Sequence, residues 1–399
     1  MISYLLCDDP DIRQQLLPFT FTRPVARLRV GIDTLEEKWR DFLGPSSGFI
    51  TAGYLQTLFA ARYSDNNLLI NASFIPDEEL AQAVSALEPG YVLTCAGGWI
   101  ACRCSRTEAE AFEPKVCLSG RKERPYSGNC LQIRHPWDIF MQNGKQIERD
   151  LARISKGRKT AALKGNGIRQ WGAYPVFAEE NARVEQAMID TTEGPVYLGR
   201  DTVIMPGSIV KGPLALCEGS IIKMGARIYG GNTFGPYCKV AGEVECTVMT
   251  GYSNKAHDGF LGDAVLGEWC NLGAGTNCSN LKNDYSQVKV WSYAQDRFVP
   301  TGLQFCGLLM GDHSKSAIGT QFNTGTVVGV GANVFGAGFP KNFIPSFTWG
   351  KETYRVERAI ETAKIVYARR NRTFGEEEAE VLRAVYRLSA GNRERSQSE

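Results

Sequence analysis

The fold class predicted from the sequence is an α/β domain followed by a parallel β-helix that ends in C-terminal helices. Three observations predict it: a six-residue apolar repeat that begins at Leu198, alternating strand-like and helix-like segments before residue 160, and two amphipathic segments after residue 350. A chain of 399 residues is long for one hydrophobic core, because domains contain roughly 150 residues. We therefore expect more than one domain.

The six-residue repeat defines the central part of the chain. Eight successive positions are apolar without a break: Leu198, Ile204, Val210, Leu216, Ile222, Ile228, Phe234 and Val240. A helix repeats its apolar face about every 3.6 residues and a strand every two, whereas a triangular coil with one short strand per side turns every sixth residue inward. The period predicts a parallel β-helix of the hexapeptide type.

The repeat is interrupted twice. It slips by two residues between residues 243 and 257, resumes at Phe260, Leu266 and Leu272, and is broken again at residues 281–302. It then returns at Met310, Ser316, Phe322, Val328 and Val334. Loops that leave a solenoid often carry its function, and His257, one of three histidines in the chain, lies between the slip and the resumed repeat.

The segments on either side of the coil show the apolar spacing of ordinary strands and helices. The strand-like runs "YLLCD", "NLLINA" and "GYVLTCA" alternate with the helix-like runs "DTLEEKWRDFLG" and "PDEELAQAVSAL", which is typical of an α/β domain. After the coil, Gly375 separates two amphipathic helices. Their apolar faces are Val356, Ile360, Ala363 and Tyr367 in the first, and Val381, Leu382, Val385 and Leu388 in the second. We predict an α/β domain at 1–165, a coil at 170–345, and helices with a disordered polar tail at 346–399.

Composition excludes several classes of partner. Lysine and arginine number 45 against 43 acidic residues, so the charge predicts neither nucleic-acid nor membrane binding. No apolar run reaches the roughly 18 residues that span a bilayer, and the acidic start lacks the pattern of a signal peptide. The 12 cysteines are scattered, which predicts reduced thiols. We expect a cytoplasmic protein with a small-molecule partner.

The sequence predicts no metal site. Cys102 and Cys104 form one tight pair without a second, and two ligands cannot complete a tetrahedral zinc site. A γ-type carbonic anhydrase, which shares the coil, needs three histidines at zinc. Only His257 and His313 lie in the predicted coil.

Residues 16–39, "LLPFTFTRPVARLRVGIDTLEEKW", resemble the opening of the sugar-1-phosphate nucleotidyltransferases. Three parts of that pattern differ: "CDDPDIRQQ" replaces the glycine-rich phosphate loop, Val25 replaces a lysine, and Ala72 replaces a metal-binding aspartate. We therefore expect a degenerate, truncated domain, in which Mg²⁺ is needed only if activity is retained. Its candidate phosphate contacts are Arg13, Arg23 and Arg29.

The run "SNKAHDGFLGDAVLGEWCNLGAGTNCSN" resembles the acetyltransferase half of the bifunctional N-acetylglucosamine-1-phosphate uridylyltransferase/glucosamine-1-phosphate acetyltransferase family. The resemblance implies a left-handed coil, a homotrimer with acetyl-CoA bound between neighbouring coils, and a sugar phosphate or sugar nucleotide as partner. It also implies a role in the biosynthesis of UDP-N-acetylglucosamine. The acceptor would be an amino sugar similar to glucosamine 1-phosphate.

The resemblance assigns roles to four residues. His257 matches the general base, Asn271 an asparagine that holds the sugar, Ala274 the residue whose N–H faces the thioester oxygen, and Asn280 an asparagine near the amine and acetyl group. These types suit the chemistry, because an amine attacks a thioester only when unprotonated and an N–H stabilises the developing oxyanion. An imidazole is the side chain best suited to take such a proton.

Departures from the family pattern leave three functions open. Phe260 and Leu281 stand where the family has tyrosines that contact the sugar. Candidates for binding the sugar phosphate are Arg227, Lys239, Lys255 and Lys282. The first hypothesis is an acetyl-CoA-dependent acyltransferase. The alternatives are uridylyltransferase activity retained in the N-terminal domain, and a non-catalytic trimeric scaffold that binds a sugar nucleotide.

Overall fold

A computed structural model describes residues 3–96, 98–114 and 118–398. The chain divides into two compact units. The first comprises residues 1–16, 22–28 and 33–135, and the second comprises residues 17–21, 29–32 and 136–399. Two short segments of the predicted α/β domain therefore belong to the second unit, as does the long helix at Pro136–Ile154.

The first unit is an α/β domain, as its alternating segments predict. Its strands are Ser3–Cys7 (β1), Phe49–Ile50 (β2), Asn67–Asn71 (β3), Phe74–Ile75 (β4), Tyr91–Cys95 (β5), Gly98–Cys104 (β6), Lys122–Pro125 (β7) and Leu131–Gln132 (β8). Its helices are Pro10–Gln15 (α1), Leu35–Leu43 (α2), Glu78–Ser85 (α3) and Arg106–Glu110 (α4), with 3₁₀ turns at Val25–Arg27 and Gly53–Leu55. The main sheet has the order β2-β1-β3-β6-β5-β7, so chain order reverses beside β1. Ligands of open α/β sheets bind at such a switch point.

The second unit is built on a parallel β-helix with three faces, named A, B and C. Face A contains Val176–Ala178, Val196–Leu198, Leu214–Leu216, Asn232–Phe234, Leu309–Met310, Val327–Val328 and Phe343–Ile344. Face B contains Arg183–Val184, Val203–Ile204, Ile221–Ile222, Lys239–Val240, Asn254–Lys255, Asn271–Leu272, Lys315–Ser316, Asn333–Val334 and Thr348–Trp349, the last of which pairs with Glu352–Thr353. Face C contains Arg169–Trp171, Met188–Asp190, Ile209–Lys211, Arg227–Ile228, Asn277–Cys278 and Gln321–Phe322. The long strands Glu243–Gly251 and Phe260–Glu268 run from face C into face A.

The hexad repeat is the interior of this coil. All eight residues from Leu198 to Val240 are buried, and the later positions from Met310 to Val334 are buried as well. Equivalent residues of successive turns lie in register, as Leu198, Leu216 and Phe234 do on face A. The α/β domain, the parallel β-helix of the hexapeptide class, which is the left-handed kind, and the C-terminal helices confirm the predicted fold class.

The slip in the repeat arises from two shortened turns. On face A, Val248 and Met249 follow Thr233 and Phe234 after 15 residues, and Leu266 follows Met249 after 17, where a regular turn has 18, as from Leu198 to Leu216. The inward residue on face C is Leu261, which is fully buried, so the prediction that Phe260 points inward was wrong. The two inward residues Leu261 and Leu266 are therefore five residues apart, one fewer than the hexad predicts.

The second interruption is an insertion that carries a β-hairpin. Lys289–Ser292 pairs antiparallel with Arg297–Pro300, and Val288, Val290 and Val299 are buried. Trp291 stacks on Phe343 with ring centroids 4.3 Å apart. The hairpin therefore packs on the coil as an ordered element.

Helices cover parts of the coil. Pro136–Ile154 (α5) packs Ile147 and Leu151 against Phe177 and Ala215. Val356–Ala368 (α6), Glu376–Leu388 (α7) and Ala390–Ser398 (α8) follow the last turn. Their buried faces agree with the prediction except for Leu388, whose side chain is 60% exposed. The polar tail predicted to be disordered is helical up to Ser398, and Glu399 lies outside the described residues.

A column of aromatic rings lines the corner between faces A and B. Tyr237, Tyr252 and Trp269 occupy equivalent corner positions with φ of 58°, 54° and 62°, a region that bulky residues rarely adopt. Their rings stack in sequence, and Tyr367 of α6 stacks on Trp269 with centroids 3.9 Å apart. Stacked aromatic pairs stabilise a fold beyond their buried area, so this column fixes the C-terminal end of α6 on the coil.

Candidate functional site

His257 lies on the corner between faces B and C, in the loop that joins Asn254–Lys255 to Phe260–Glu268. Its side chain is exposed, and within the described part of the chain the imidazole forms no hydrogen bond. The loop itself is held by its backbone. The carbonyl of His257 accepts from Lys255 Nζ at 2.9 Å, and that of Asp258 accepts from Gly275 N at 3.1 Å. A fixed backbone therefore presents a free imidazole to solvent.

Ala274 and Asn271 lie one turn further along the coil from His257. Asn271 is the register neighbour of Asn254 on face B, and Ala274 occupies the same B–C corner as His257. The Ala274 carbonyl accepts from Gly319 N at 2.8 Å. No acceptor for the N–H of Ala274 is present among the described residues. The corner thus places a free imidazole and a free backbone donor on neighbouring turns.

Lys255 does not lie on this surface, which corrects its assignment as a substrate-binding residue. Its side chain occupies the inward position between Val240 and Leu272 and is 2% exposed. The ammonium donates to Ala241 O at 3.1 Å and to the His257 carbonyl. Burial lowers the pKa of Lys255 to about 8, while the nearby Asp258 carboxylate opposes the shift. Lys255 supports the His257 loop from inside the coil.

Asn280 lies on a different corner, between faces C and A. Its Nδ2 donates to Asp263 Oδ2 at 2.7 Å, and Asp263 lies in the strand Phe260–Glu268, which follows His257 and passes from face C to face A. Burial raises the pKa of the Asp263 carboxyl, and the hydrogen bond from Asn280 opposes this. A face of about four residues spans roughly 13 Å. Within one chain, His257 and Asn280 are therefore at opposite ends of face C.

Asp263 was missed from the sequence, although it orients the amide of Asn280. The signal was present in the "LGD" that follows Phe260, but only the corner geometry reveals the contact. Phe260 is half-buried, and its N–H donates to Asn277 Oδ1 at 2.8 Å. A Cβ at Gly262 would lie 2.6 Å from the Phe260 ring and 2.8 Å from Asn280 Nδ2, so this glycine makes room for both side chains.

The other basic candidates are dispersed. Arg227 lies on face C and pairs with Glu243 at 3.4 Å. Lys239 lies on face B. Lys282 lies in the insertion, where its Nζ donates to Gln287 O at 3.0 Å. One chain therefore does not gather these residues into a single phosphate site.

In the first unit, the polar groups at the carboxyl end of β1 are occupied by one another. Asp9 caps α1 by accepting from Asp11 N at 3.1 Å and Ile12 N at 3.2 Å, and it also accepts from Trp99 Nε1 at 2.9 Å. The Asp9 carboxylate is therefore fully engaged in hydrogen bonds within the protein.

Asp8 is the second carboxylate at this edge. It accepts from Val25 N at 2.8 Å and pairs with Arg13 at 3.3 Å. Burial raises the pKa of Asp8 to about 6, against the opposing hydrogen bond from Thr51 and the charge of Arg13. Arg13 also donates to Tyr54 Oη at 2.7 Å. The Arg13 guanidinium is thus directed to protein groups.

The remaining candidates in the first half of the chain are also unfavourable for a nucleotide. Arg23 and Arg29 are buried. The two β1 carboxylates are hydrogen-bonded and Ala72 at the end of β3 offers no ligand, so these residues do not fit a Mg²⁺ site. Among residues 3–96, 98–114 and 118–398, no group of three or more His, Cys, Asp or Glu side chains could hold a metal. In the same described ranges no helix has the length and apolarity needed to cross a membrane.

Comparisons with known proteins found a matching family and several relatives. The sugar nucleotidyl transferase family matches residues 4–159. The chain is 25% identical over 245 residues to the bifunctional protein GlmU of Methanocaldococcus jannaschii. The matched segment covers 61% of this chain and 48% of that protein. The chain is 28% identical over 213 residues to GlmU of Methanococcus maripaludis, covering 52% and 44%.

A third relative has a more explicit name. The bifunctional sugar-1-phosphate nucleotidylyltransferase/acetyltransferase of Sulfurisphaera tokodaii is 27% identical over 210 residues, covering 53% of this chain and 46% of that protein. The chain matches less than half the length of each of these three relatives. The chain is therefore similar to the GlmU proteins, and its residues 4–159 match the sugar nucleotidyl transferase family.

Proposed function

We propose that the protein transfers an acyl group from acetyl-CoA to the amino group of a sugar or sugar phosphate similar to glucosamine 1-phosphate. The observation that carries this proposal is the B–C corner, where the free imidazole of His257 and the free N–H of Ala274 lie on neighbouring turns. The acetyltransferase named among the relatives supports the same reaction class. The reduced state of the described cysteines fits the cytoplasmic location that we propose.

The residues of the corner divide the chemistry between them. His257 removes a proton from the amine as its nitrogen forms a bond to the thioester carbonyl carbon. The carbonyl oxygen becomes an oxyanion that accepts from Ala274 N–H. The carbon–sulfur bond then breaks, and the thiolate leaves with a proton. Base catalysis and oxyanion donation each lower the barrier by stabilising charge that develops in the transition state.

We also propose that the complete site is shared by two chains of a homotrimer. The reason is the separation of His257 and Asn280 at opposite ends of face C. A second coil that packs its C–A corner against the B–C corner of the first would unite them. Asn280 would then contact the acceptor amine from the neighbouring chain, with Asn271 and Phe260 beside the sugar.

A measurement of CoA release tests the transfer reaction. Wild type and His257→Ala are compared over a set of amino-sugar phosphates with acetyl-CoA, and CoA is detected by chromatography because the chain itself has 12 cysteines. Loss of the base should lower the rate by about 10²- to 10⁴-fold. Equal rates from the two proteins would refute the mechanism, and failure to bind any acyl-CoA would favour the non-catalytic scaffold.

Mixed trimers test the shared site separately. His257→Ala and Asn280→Ala chains with different tags are co-expressed, and trimers carrying both tags are purified. In every mixed trimer one of three sites has both residues intact, so about one third of the wild-type rate should return. If each site lies within one chain, no activity returns on mixing.

Retained sugar-1-phosphate nucleotidyltransferase activity is the second candidate function, because the family match covers the first unit. The occupied polar groups of Asp8, Asp9 and Arg13 oppose it. Thermal unfolding with UTP and Mg²⁺ decides between these observations. A rise in the melting temperature beyond that given by Mg²⁺ alone would support nucleotide binding, and formation of a nucleotide sugar would establish the activity.

A further inference from the structure

Face B of the second unit and the end of α6 together carry four basic residues. Lys223 and Lys239 come from successive turns of the coil, and Arg369 and Arg370 follow the last turn of α6. We name these four residues the cation cluster. Within the described part of the chain, no carboxylate forms an ion pair with any of them. They differ in this respect from Arg183 on the same face, which pairs with Glu185 at 2.8 Å.

The positions of the four cations are set by the coil and by the docked helix. Arg370 Nη2 donates to Asn254 Oδ1 at 3.0 Å, and Asn254 is the register neighbour of Lys239. Neighbouring strands lie about 4.8 Å apart, so Arg370 is held close to Lys239. The stacking of Tyr367 on Trp269 keeps the end of α6 in this place.

The cluster carries an uncompensated positive potential. Burial, followed by the charges of Arg370, Lys223 and Arg369, lowers the pKa of Lys239. Like charges gathered in one place destabilise the free protein, and an anion that binds among them removes that repulsion. Arginine and lysine together offer the planar fork and the point charge that recognise phosphate oxygens.

We propose that the cation cluster binds a phosphate group of a small ligand on the outer surface of face B. Asn254 and Asn271 lie on the next two turns of the same face. The Asn254 amide is bonded to Arg370 and Asn271, so among the described residues Asn271 Nδ2 is the amide group left to donate to the rest of the ligand. The proposal does not rest on acyl transfer, because the cluster is defined by its own charges and contacts.

The surroundings of Arg370 direct the phosphate toward face B. Arg370 also lines a surface cleft of about 740 Å³ at the A–B corner. Glu268 and Glu378 line that cleft as well, and their negative charges offset those of Arg370 and Arg372 there. The cluster on face B contains cations alone, so the anionic end of the ligand lies there.

Titration calorimetry with pyrophosphate tests the proposal in the full-length protein. Lys239→Gln and Arg370→Gln should each weaken binding roughly tenfold or more, since each removes a charged contact. Arg370→Lys, which keeps the charge, should recover part of the affinity. Arg183→Gln is the matched control on the same face and should bind as wild type does. Equal affinity in all four variants, or no binding beyond that of chloride at equal ionic strength, would overturn the proposal.

Measurements of the melting temperature distinguish a variant that has lost the binding site from one whose fold is damaged. Without ligand, Lys239→Gln should melt at or above the temperature of wild type, because one repulsive charge is gone. Adding pyrophosphate should raise the melting temperature of this variant by less than it raises that of wild type. If the variant gains as much as wild type, the cluster is not the binding site.

Two further ligands identify the source of the phosphate. Glucosamine 1-phosphate and adenosine 3′,5′-bisphosphate are titrated into wild type and Lys239→Gln. Cluster-dependent binding of the first assigns the phosphate to the acceptor, and cluster-dependent binding of the second assigns it to the nucleotide part of an acyl donor. If neither ligand loses affinity in the variant, the cluster does not serve a phosphate of these ligands and the proposal fails for both.

Discussion

The polar groups at the carboxyl end of β1 are hydrogen-bonded within the protein, whereas those at the B–C corner of the coil are not. At β1, the carboxylates of Asp8 and Asp9 are hydrogen-bonded to Val25 N, Trp99 Nε1 and the start of α1. At the corner, the side chain of His257 and the N–H of Ala274 have no partner among the described residues.

The difference indicates which region is prepared for a ligand. A buried polar group without a partner carries a desolvation cost, so folded proteins satisfy such groups unless something else uses them. The β1 edge has met this requirement internally, whereas the corner leaves its groups to solvent or to a substrate. Our proposal of acyl transfer on the coil, in preference to nucleotidyl transfer at the switch point of the sheet, rests on this difference.

The largest expected effect is on catalysis. His257→Ala should lower CoA release by about 10²- to 10⁴-fold, whereas Asp9→Asn should leave it within about twofold, because asparagine still caps α1. Rates for both variants at saturating acetyl-CoA check this contrast. A loss of similar size in Asp9→Asn would show that the two regions act together and would break the comparison.

The second effect concerns the anchoring of the corner. Leu261→Ala removes a fully buried side chain and should lower the free energy of unfolding by about 2–5 kcal/mol. Phe260→Ala removes a half-buried ring on the outer side of the same strand and should have a smaller effect. Urea unfolding of both variants measures the difference. A larger effect for Phe260 would restore the inward register that the sequence suggests.

The third effect concerns the buried cation below the corner. Lys255→Met replaces a charge at an otherwise aliphatic position and should raise the stability of the coil at neutral pH by about 1–4 kcal/mol. It also frees the carbonyl of His257, so CoA release should fall while stability rises. Lys211→Met, at an exposed ion pair with Glu193, is the control and should change neither property appreciably.

The pH dependence of the stability of wild type tests the burial of Lys255 independently. Its pKa is about 8 in the folded chain and 10.5 in the reference state, so the unfolded chain binds more protons between these values. Stability should therefore rise across that window, by up to about 1.4 kcal/mol per pH unit. Lys255→Met should lack this rise. A rise of the same size in the variant would mean that other groups cause it and that folding does not lower the pKa of Lys255.

The smallest effect is at the β1 edge. Asp9→Ala removes the cap of α1 and the acceptor of Trp99 Nε1, and should lower the stability of the first unit by about 0.5–2 kcal/mol. The fluorescence of Trp99 should shift as its environment changes. If the variant gains a melting-temperature rise with UTP and Mg²⁺ that wild type lacks, Asp9 occupies the phosphate position as the comparison implies.

Much of the fold could be predicted because it depends on apolar residues that repeat at short, regular spacings along the sequence. The run from Leu198 to Val240 is buried as the hexad requires, and the runs around Leu35–Leu43 and Glu78–Ser85 form helices. Leu388 was predicted to be buried because helical spacing gives the direction of a side chain but not what covers it.

The sequence by itself determined the coil, the α/β domain before it and the corner on which His257 lies, because these depend on repeats of six, two and 3.6 residues. Tertiary structure alone decided that Leu261 points inward, that Lys255 lies inside, that Asn280 lies on another corner, and that Arg369 and Arg370 approach Lys239. The physical reason is that turn lengths and the docking of α6 set these positions, and both depend on contacts between residues far apart in the chain.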